Sequence, residues 1–256
     1  SRIPTTMPSS PFPLSVCPEN VNDLIRSLNM FAPVLQVLPS TVFFVKNMRA
    51  EYVYANDTLL HRLQLSDMAA LIGKTSEDLF QSEWGQRYTQ QDREVLNDGK
   101  IINNKLELHT YASGELGWCI THKMPVRNPL GEIIAMLGVS VDVETNDSNR
   151  PELNKKVALI EKYIAGHFDQ NIKMKDLEAV SRLSTAQIER YFKKIFHITP
   201  SQYIQKIRIE AAMAMLETGL SVTEISARCG YSDHSAFTRQ FKALVGLVPS
   251  EFKKSR

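Results

Sequence analysis

The sequence predicts two domains of different class. An α+β domain, built on a five-stranded antiparallel sheet with helices on one face, is followed by an all-α domain with two helix-turn-helix units joined by a connecting helix. Three observations predict this. Strand-like stretches rich in Val, Phe, Tyr and Ile occur before residue 144 and none occurs after it. From residue 154 onward the apolar spacing is helical. A block near the C-terminus, "VTEISARCGYS" with "FKALVGLVPSEF", also has a looser copy upstream, "MKDLEAVSRLS" with "FKKIFHITPSQY".

The elements follow in order. Residues 1–18, "SRIPTTMPSSPFPLSVCP", hold five prolines and little periodicity, and read as a flexible arm. Residues 19–38 place Val21, Leu24, Ile25 and Leu28 at helical spacing, with Pro33 set to kink or break the helix. Residues 39–143 form the α+β domain. "TVFFVKN" and "EYVYAN" read as paired strands, and helical pieces follow at 57–65, 66–73 and 83–99, the last two ended by Gly73 and Gly99. Strands at 101–110, 117–126 and 132–143 close the segment, giving the order β-β-α-α-α-β-β-β. The polar stretch 144–153 is the expected linker, and 154–256 the all-α domain.

Within the repeat, each unit reads as a short helix, a tight turn, a longer helix, and a Pro-Ser start to another helix. Ser184 with Gln187, Thr199 with Gln202, and Ser221 with Glu224 have capping-box spacing. The helix between the units carries Tyr203, Ile204, Ile207, Ala211 and Met215 on one face and is expected to hold them at a fixed separation. Two units held this way suit successive major grooves, roughly 34 Å apart along a duplex. The charge agrees. Residues 1–149 carry 12 Lys+Arg against 17 Asp+Glu, and residues 150–256 carry 18 against 11, so the basic excess sits with the repeat.

Other classes find no support. Cys17, Cys119 and Cys229 are scattered, with no metal or redox spacing, which fits a reducing, cytoplasmic setting. No metal site and no catalytic residue is expected: no P-loop, G-x-S-x-G or paired catalytic motif occurs, so the chain does not read as an enzyme. No apolar run approaches the ~18 residues of a membrane span, and no signal peptide is visible.

The segment "ISARCGYSDHSAFTRQFKALVGLVPSEF" resembles the signature of AraC/XylS-type DNA-binding domains, with G-[FY]-S, a D-x-S-x-F-x-R-x-F-K run and a G-x-x-P-x-x-[FY] ending. The first unit departs from it at Glu178, Arg182 and His197. The resemblance implies double-stranded DNA as partner, and helix geometry selects the exposed positions. These are Ala186, Gln187, Glu189, Arg190 and Lys193 on the first long helix, and His234, Ser235, Thr238, Arg239 and Lys242 on the second. Arg190 and Arg239 suit guanine, Gln187 suits adenine, Glu189 suits cytosine, and Lys193, Lys194 and Lys242 suit phosphates.

Residues ~35–143 resemble a PAS domain, carried by "VFFVKNMRAEYVYANDTLLHRL", "LIGKTSEDLF", "RYTQQDREVLNDGK" and "GWCITHKMPVRNPLGEIIAMLGVSVDV". Such domains sense a ligand between sheet and helices. No N-C-R-F motif for a flavin is present. A lone His61 on a helix does not call for haem, so no cofactor is expected and a small organic metabolite, such as an amino acid or amine, is. Strand alternation nominates Phe44, Tyr54, Trp118, Ile120 and His122, with His61, as the pocket. The expected protein is a transcriptional regulator, an activator controlled by this ligand. A homodimer through residues 19–38 and the PAS domain, and RNA polymerase as a further partner, complete that expectation. The alternatives are a constitutive regulator whose PAS domain dimerises or binds a partner, and a haem-based redox or gas sensor. A repair methyltransferase, which also uses such a DNA-binding domain, would need a cysteine cluster for zinc that is lacking.

Overall fold

A computed structural model describes residues 17–80, 82–111, 113, 116–143 and 151–254, with the side chains of 82 and 151–154 left aside. The expected arm, except residues 17 and 18, and residues 144–150 of the expected linker lie outside the described residues. Two short helices open the chain, α1 (Val21–Asn29) and α2 (Ala32–Gln36). The break between them falls just ahead of Pro33, which occupies the first turn of α2, where a missing N–H costs nothing.

Strands β1 (Thr41–Asn47) and β2 (Tyr52–Ala55) come next, then helices α3 (Asp57–Arg62), α4 (Ser76–Leu79) and α5 (Ser82–Asp98). The expected helix at 66–73 is only a 3₁₀ turn, Met68–Ala70, and α4 was not expected. Asp78 caps α4 together with Thr75 in a capping box that is visible in the sequence once the helix is known. Strands β3 (Ile102–Thr110), β4 (Leu116–Arg127) and β5 (Ile133–Asp142) complete one sheet, in the order β2-β1-β5-β4-β3, with every neighbouring pair antiparallel. The expected α+β order therefore holds.

Both faces of the sheet are covered. On the inner face Val42, Phe44, Tyr52 and Met136 pack against Leu59, Leu60, Leu63, Val95 and Leu96 of the helices. On the outer face, Phe43, Val45 and Ala135 meet Leu24 of α1. The rest of the outer face, Leu106, Leu108, Trp118 and Ile120, joins the core of the C-terminal half. At roughly 25 cal/mol per Å² of apolar area, such two-sided burial is the main favourable term for the sheet.

The C-terminal half is helical among the described residues. It comprises α6 (Pro151–His167), α7 (Met174–Ser181), α8 (Thr185–Ile195), α9 (Pro200–Leu216), α10 (Val222–Arg228), α11 (His234–Val245) and α12 (Pro249–Lys254). α6 starts at Pro151, inside the stretch expected as linker. Helix α9 buries Tyr203, Lys206, Ile209, Ala212 and Leu216, a stripe rotated from the expected one; Ile204, Ile207, Ala211 and Met215 are half-buried. The rotation arises because α9 contacts α6, α8, α10 and α12, so no single face can be apolar alone. None of the described helices is long and apolar enough to cross a membrane.

Candidate nucleic-acid interface and internal cavity

Each helix-turn-helix unit is built from its own sequence. In the first, α7 ends on Arg182 in a left-handed conformation (φ 55°, ψ 33°). Ser184 caps α8 by accepting from the Gln187 N–H, and Gln187 Oε1 accepts from the Ser184 N–H at 2.9 Å. Glu178 Oε1 bridges the turn, accepting from Thr185 N at 2.6 Å and Thr185 Oγ1 at 2.7 Å. These bonds hold the Glu178 carboxyl below its usual range. In the second unit Ser221 and Glu224 box α10, Gly230 takes the left-handed turn position (φ 78°), and Asp233 caps α11 by accepting from Ala236 N at 2.7 Å. The single extra residue of the second copy therefore lies in the turn. Once the caps Ser184 and Asp233 are superposed, Arg190 and Arg239 fall at the same helical position, as do Lys193 and Lys242.

One core holds both units. Leu177, Ile188, Phe192 and Phe196 of the first and Ile225, Phe237, Phe241 and Leu244 of the second belong to a single buried cluster. Helix α9, about 25 Å long at 1.5 Å per residue, connects them. Arg208 on α9 donates to Phe168 O at 2.8 Å and Gln170 O at 2.7 Å, and a Cβ at Gly230 would lie 2.7 Å from that same Phe168 oxygen. The α6–α7 loop thus contacts both α9 and the turn of the second unit.

The expected DNA-facing positions are mostly open. Ala186, Glu189, Arg190, Lys193, His234, Ser235, Arg239 and Lys242 are exposed, and Gln187 and Thr238 half-buried. The Gln187 amide oxygen is engaged in the cap, whereas bidentate reading of adenine uses both ends of the amide. The Thr238 hydroxyl is buried without a hydrogen-bond partner. Lys193 Nζ lies 3.4 Å from Asn104 Oδ1 in β3, and the Lys242 backbone accepts from Arg87 of α5, so both of these expected phosphate contacts border the sheet domain.

Hydrogen bonds from several side chains tie the halves together. Trp118 Nε1 donates to Glu210 Oε1 at 2.9 Å, and Lys206 Nζ, itself buried, donates to the same oxygen at 2.7 Å. Gln202 Nε2 donates to Asn104 O at 3.1 Å. Arg87 donates to Lys242 O at 3.4 Å. Asn104 sits at a register shift of β3 with φ 50°, which pushes its backbone out toward α8 and α9.

Between sheet and helices lies a cavity of about 50 Å³. Phe44, Tyr52, Leu59, Arg62, Ser76, Phe80, Tyr88, His109, Tyr111, Lys123 and Ser140 are among its lining residues. Gly138 lies opposite Phe44, and a Cβ there would collide with the Phe44 ring, so the glycine lets this ring lie flat across β5. Behind the wall, Asp92 accepts from Lys46 and, at 2.6 Å, from Lys123; Lys46 also donates to Ser76 Oγ at 2.7 Å. Lys46 and Asp92 are 0% exposed and Lys123 is 5%. Burial lowers Lys46 despite Asp92; burial also works against the Asp92 charge, but the two lysines overcome it and hold that carboxyl below its usual range.

Of the residues expected in the pocket, Phe44 alone lines this cavity. His61 is exposed on α3. Trp118 and Ile120 point out of the opposite face into the C-terminal core, and His122 sits beside Asn103 and Asn104 there. The parity of β4 was assigned one residue out of step: Lys123, rather than its neighbour His122, lines the cavity. Tyr54 is displaced by a bulge between Val45 and Lys46, which turns it to the α1 side while Tyr52 stays inside. The signal missed in the sequence was a lysine within each of two apolar strands, Lys46 near the end of β1 and Lys123 inside β4.

Comparison with known proteins gives the same division. Residues 35–147 match the PAS fold family and residues 177–255 a helix-turn-helix domain family. The HTH-type transcriptional activator RhaS of Enterobacter sp. (strain 638) is 26% identical over 195 residues, 75% of this chain and 64% of that protein. The probable transcriptional regulator LumQ of Photobacterium leiognathi is 30% identical over 98 residues, 38% of this chain and 40% of that protein. The HTH-type transcriptional regulator GbdR of Pseudomonas aeruginosa (strain UCBPP-PA14) is 28% identical over 110 residues, 43% of this chain and 29% of that protein. The chain spans less than two thirds of the length of each of these curated relatives.

Proposed function

We propose that this chain, which carries a PAS fold followed by an AraC-type helix-turn-helix domain, is a sequence-specific DNA-binding transcriptional activator controlled by a small metabolite in the PAS cavity. The observation that carries the DNA reading is the equivalent, exposed placement of Arg190 and Arg239 on two helices fixed in one core. Arginine is the side chain suited to bidentate contact with guanine in the major groove. Activation is supported by the relatives, RhaS being named an activator.

Control by ligand is supported by the path from cavity to DNA-facing helices. Strand β4 lines the cavity with Lys123 and contacts α9 with Trp118. A ligand acts only if it favours one arrangement over another. In this reading the bound metabolite changes how β4 meets α9, and so how the two units are presented. Residues 19–38 supply a homodimer surface: Met30 (79% exposed), Phe31 (54%), Val34 (58%) and Val37 (75%) form an uncovered apolar run. The expected domain limits, 39–143 and 154–256, are retained as part of this proposal.

The test selects duplexes that bind the full chain from a random pool, then compares wild type with Arg190→Ala and Arg239→Ala. Each variant is expected to lose discrimination at one base position in a separate half of the site. Selection of no common sequence would end the DNA-reading proposal. Ser140→Met, which fills the cavity, is expected to abolish a small-molecule adduct seen by native mass spectrometry after exposure to cell extract, and to freeze reporter output. Unchanged output control in that variant would refute the sensor.

A further inference from the structure

The cavity wall has a one-sided charge. Arg62, His109 and Lys123 line it, and among the described residues no carboxylate does. Behind the wall, Arg62 pairs with Asp142 at 2.5 Å, and the His109 ring is 3.3 Å from Glu107. The lysines differ, because the ion pairs that Lys46 and Lys123 make among the described residues all go to the one carboxylate of Asp92; Glu107, which also acts on Lys123, is already paired with Lys105 and His109. Lys46, Asp92 and Lys123 are all buried, so water does not screen the surplus. The surplus charge is closest to the cavity at Lys123, whose ammonium also lies 6.0 Å from the centre of the Phe44 ring. Tyr88, Tyr111 and Ser140 add hydroxyls, and Phe44 and Leu59 an apolar side. A cavity of about 50 Å³ holds on the order of three to five waters, or a ligand of a handful of heavy atoms.

We propose that the PAS cavity takes a small organic carboxylate, whose anionic head pairs with Lys123 and supplies the counter-charge that Lys46, Asp92 and Lys123 lack among themselves. This rests on the reading of the PAS domain as a sensor and names the class of its ligand. A free amine meets a like charge and, among the described lining residues, no acceptor carboxylate. A neutral ligand leaves the surplus ammonium unmatched in a site of low dielectric, where an unpaired charge costs most. A carboxylate also accepts from the neighbouring hydroxyls, in charge-assisted bonds about twice as strong as neutral ones.

The experiment measures thermal melting of the full chain at fixed ionic strength with acetate, propionate and butyrate, with the matching amides, and with ethylamine and propylamine. The acids are expected to raise Tm, with half-maximal effect at a concentration at least about tenfold lower than for the amides. Lys123→Met leaves Lys46 and Asp92 one to one. It is expected to raise the ligand-free Tm and to abolish the effect of the acids. Lys46→Met, which leaves Lys123 and Asp92 one to one, provides a second variant if the first does not fold, and is expected to weaken the acid effect. Stabilisation by amides or amines equal to that by acids would overturn the anion assignment and leave the sensor reading standing. An acid effect undiminished in both variants, or no stabilisation by any acid, would overturn it as well. The sensor reading is judged separately by Ser140→Met.

Discussion

Trp118 of β4 donates its indole N–H to Glu210 of α9 at 2.9 Å, so the back of a cavity-lining strand is hydrogen-bonded to the helix that joins the two helix-turn-helix units. Trp118 belongs to a buried cluster shared by both halves of the molecule, and Glu210 sits half-exposed at its edge. Trp118→Phe keeps an aromatic ring but removes the donor. We expect a loss of about 1–2 kcal/mol in unfolding free energy, measured by urea denaturation, because Glu210 then keeps Lys206 alone. An unchanged midpoint would show that the contact contributes nothing to holding the halves together.

Arginines and lysines on the helices proposed to face DNA separate by what they change. Arg190→Ala and Arg239→Ala should each cost about 1–3 kcal/mol against the selected site and relax one base position. Lys194→Ala should weaken binding to all sequences alike and lower the salt slope by about one, read from binding isotherms at several salt concentrations. Equal loss on specific and random duplexes for the arginines would move them to the phosphate-contacting class.

The two turns make opposite demands on a side chain. Gly230 has φ 78° and a carbonyl oxygen 2.7 Å from where a Cβ would lie, so Gly230→Ala should destabilise by more than about 1 kcal/mol. Arg182 occupies the same left-handed region without such a neighbour being required to move. Arg182→Gly relieves strain in the folded chain and adds freedom to the unfolded one, so its net effect should stay within about 1 kcal/mol. Calorimetric melting of the two variants checks the contrast.

Acid should loosen the caps first. Hydrogen bonds from Thr185 hold Glu178 below 4.5, those from Ser221 do the same for Glu224, and the Ala236 N–H holds Asp233 below 3.8. A carboxyl whose folded pKa is depressed adds stability above its unfolded value and loses it as pH falls through the folded one. Amide exchange at Thr185, Ser221 and Ala236 should therefore accelerate as pH drops below those values, after correction for intrinsic rates. Glu224→Gln, which removes the titrating carboxyl, should remove the pH dependence at α10 and leave that at α11 intact. Protection that does not change with pH would show that the carboxyls are not what holds these ends.

The sequence by itself determined the order of the strands, the two helix-turn-helix units and three of the helix caps in that half; helix α4 and the Asp233 cap of α11 it did not. The features it did determine are local: a capping box spans one turn, and a helix stripe repeats within a few residues. Ser184, Ser221 and Thr199 each cap the helix their spacing announced. It also selected Arg190 and Arg239 as exposed, because the inward positions Ile188, Phe192, Phe237 and Phe241 are apolar and fix the helix rotation.

Only the tertiary structure decided which face of the sheet meets the cavity. Alternation along β4 defines two sets of residues, but both faces of this sheet are covered, so hydrophobicity does not say which set is inside. Trp118 and Ile120 look like pocket residues because they are large and apolar, yet they are buried by the C-terminal helices. Lys46 and Lys123 look like surface residues, yet they are buried because Asp92, far off in the chain on α5, is brought between them. A bulge in the β1–β2 pair then turned Tyr54 away from Tyr52. Burial from both sides, a register shift and a long-range ion pair are properties of contacts between segments, and no single segment carries them.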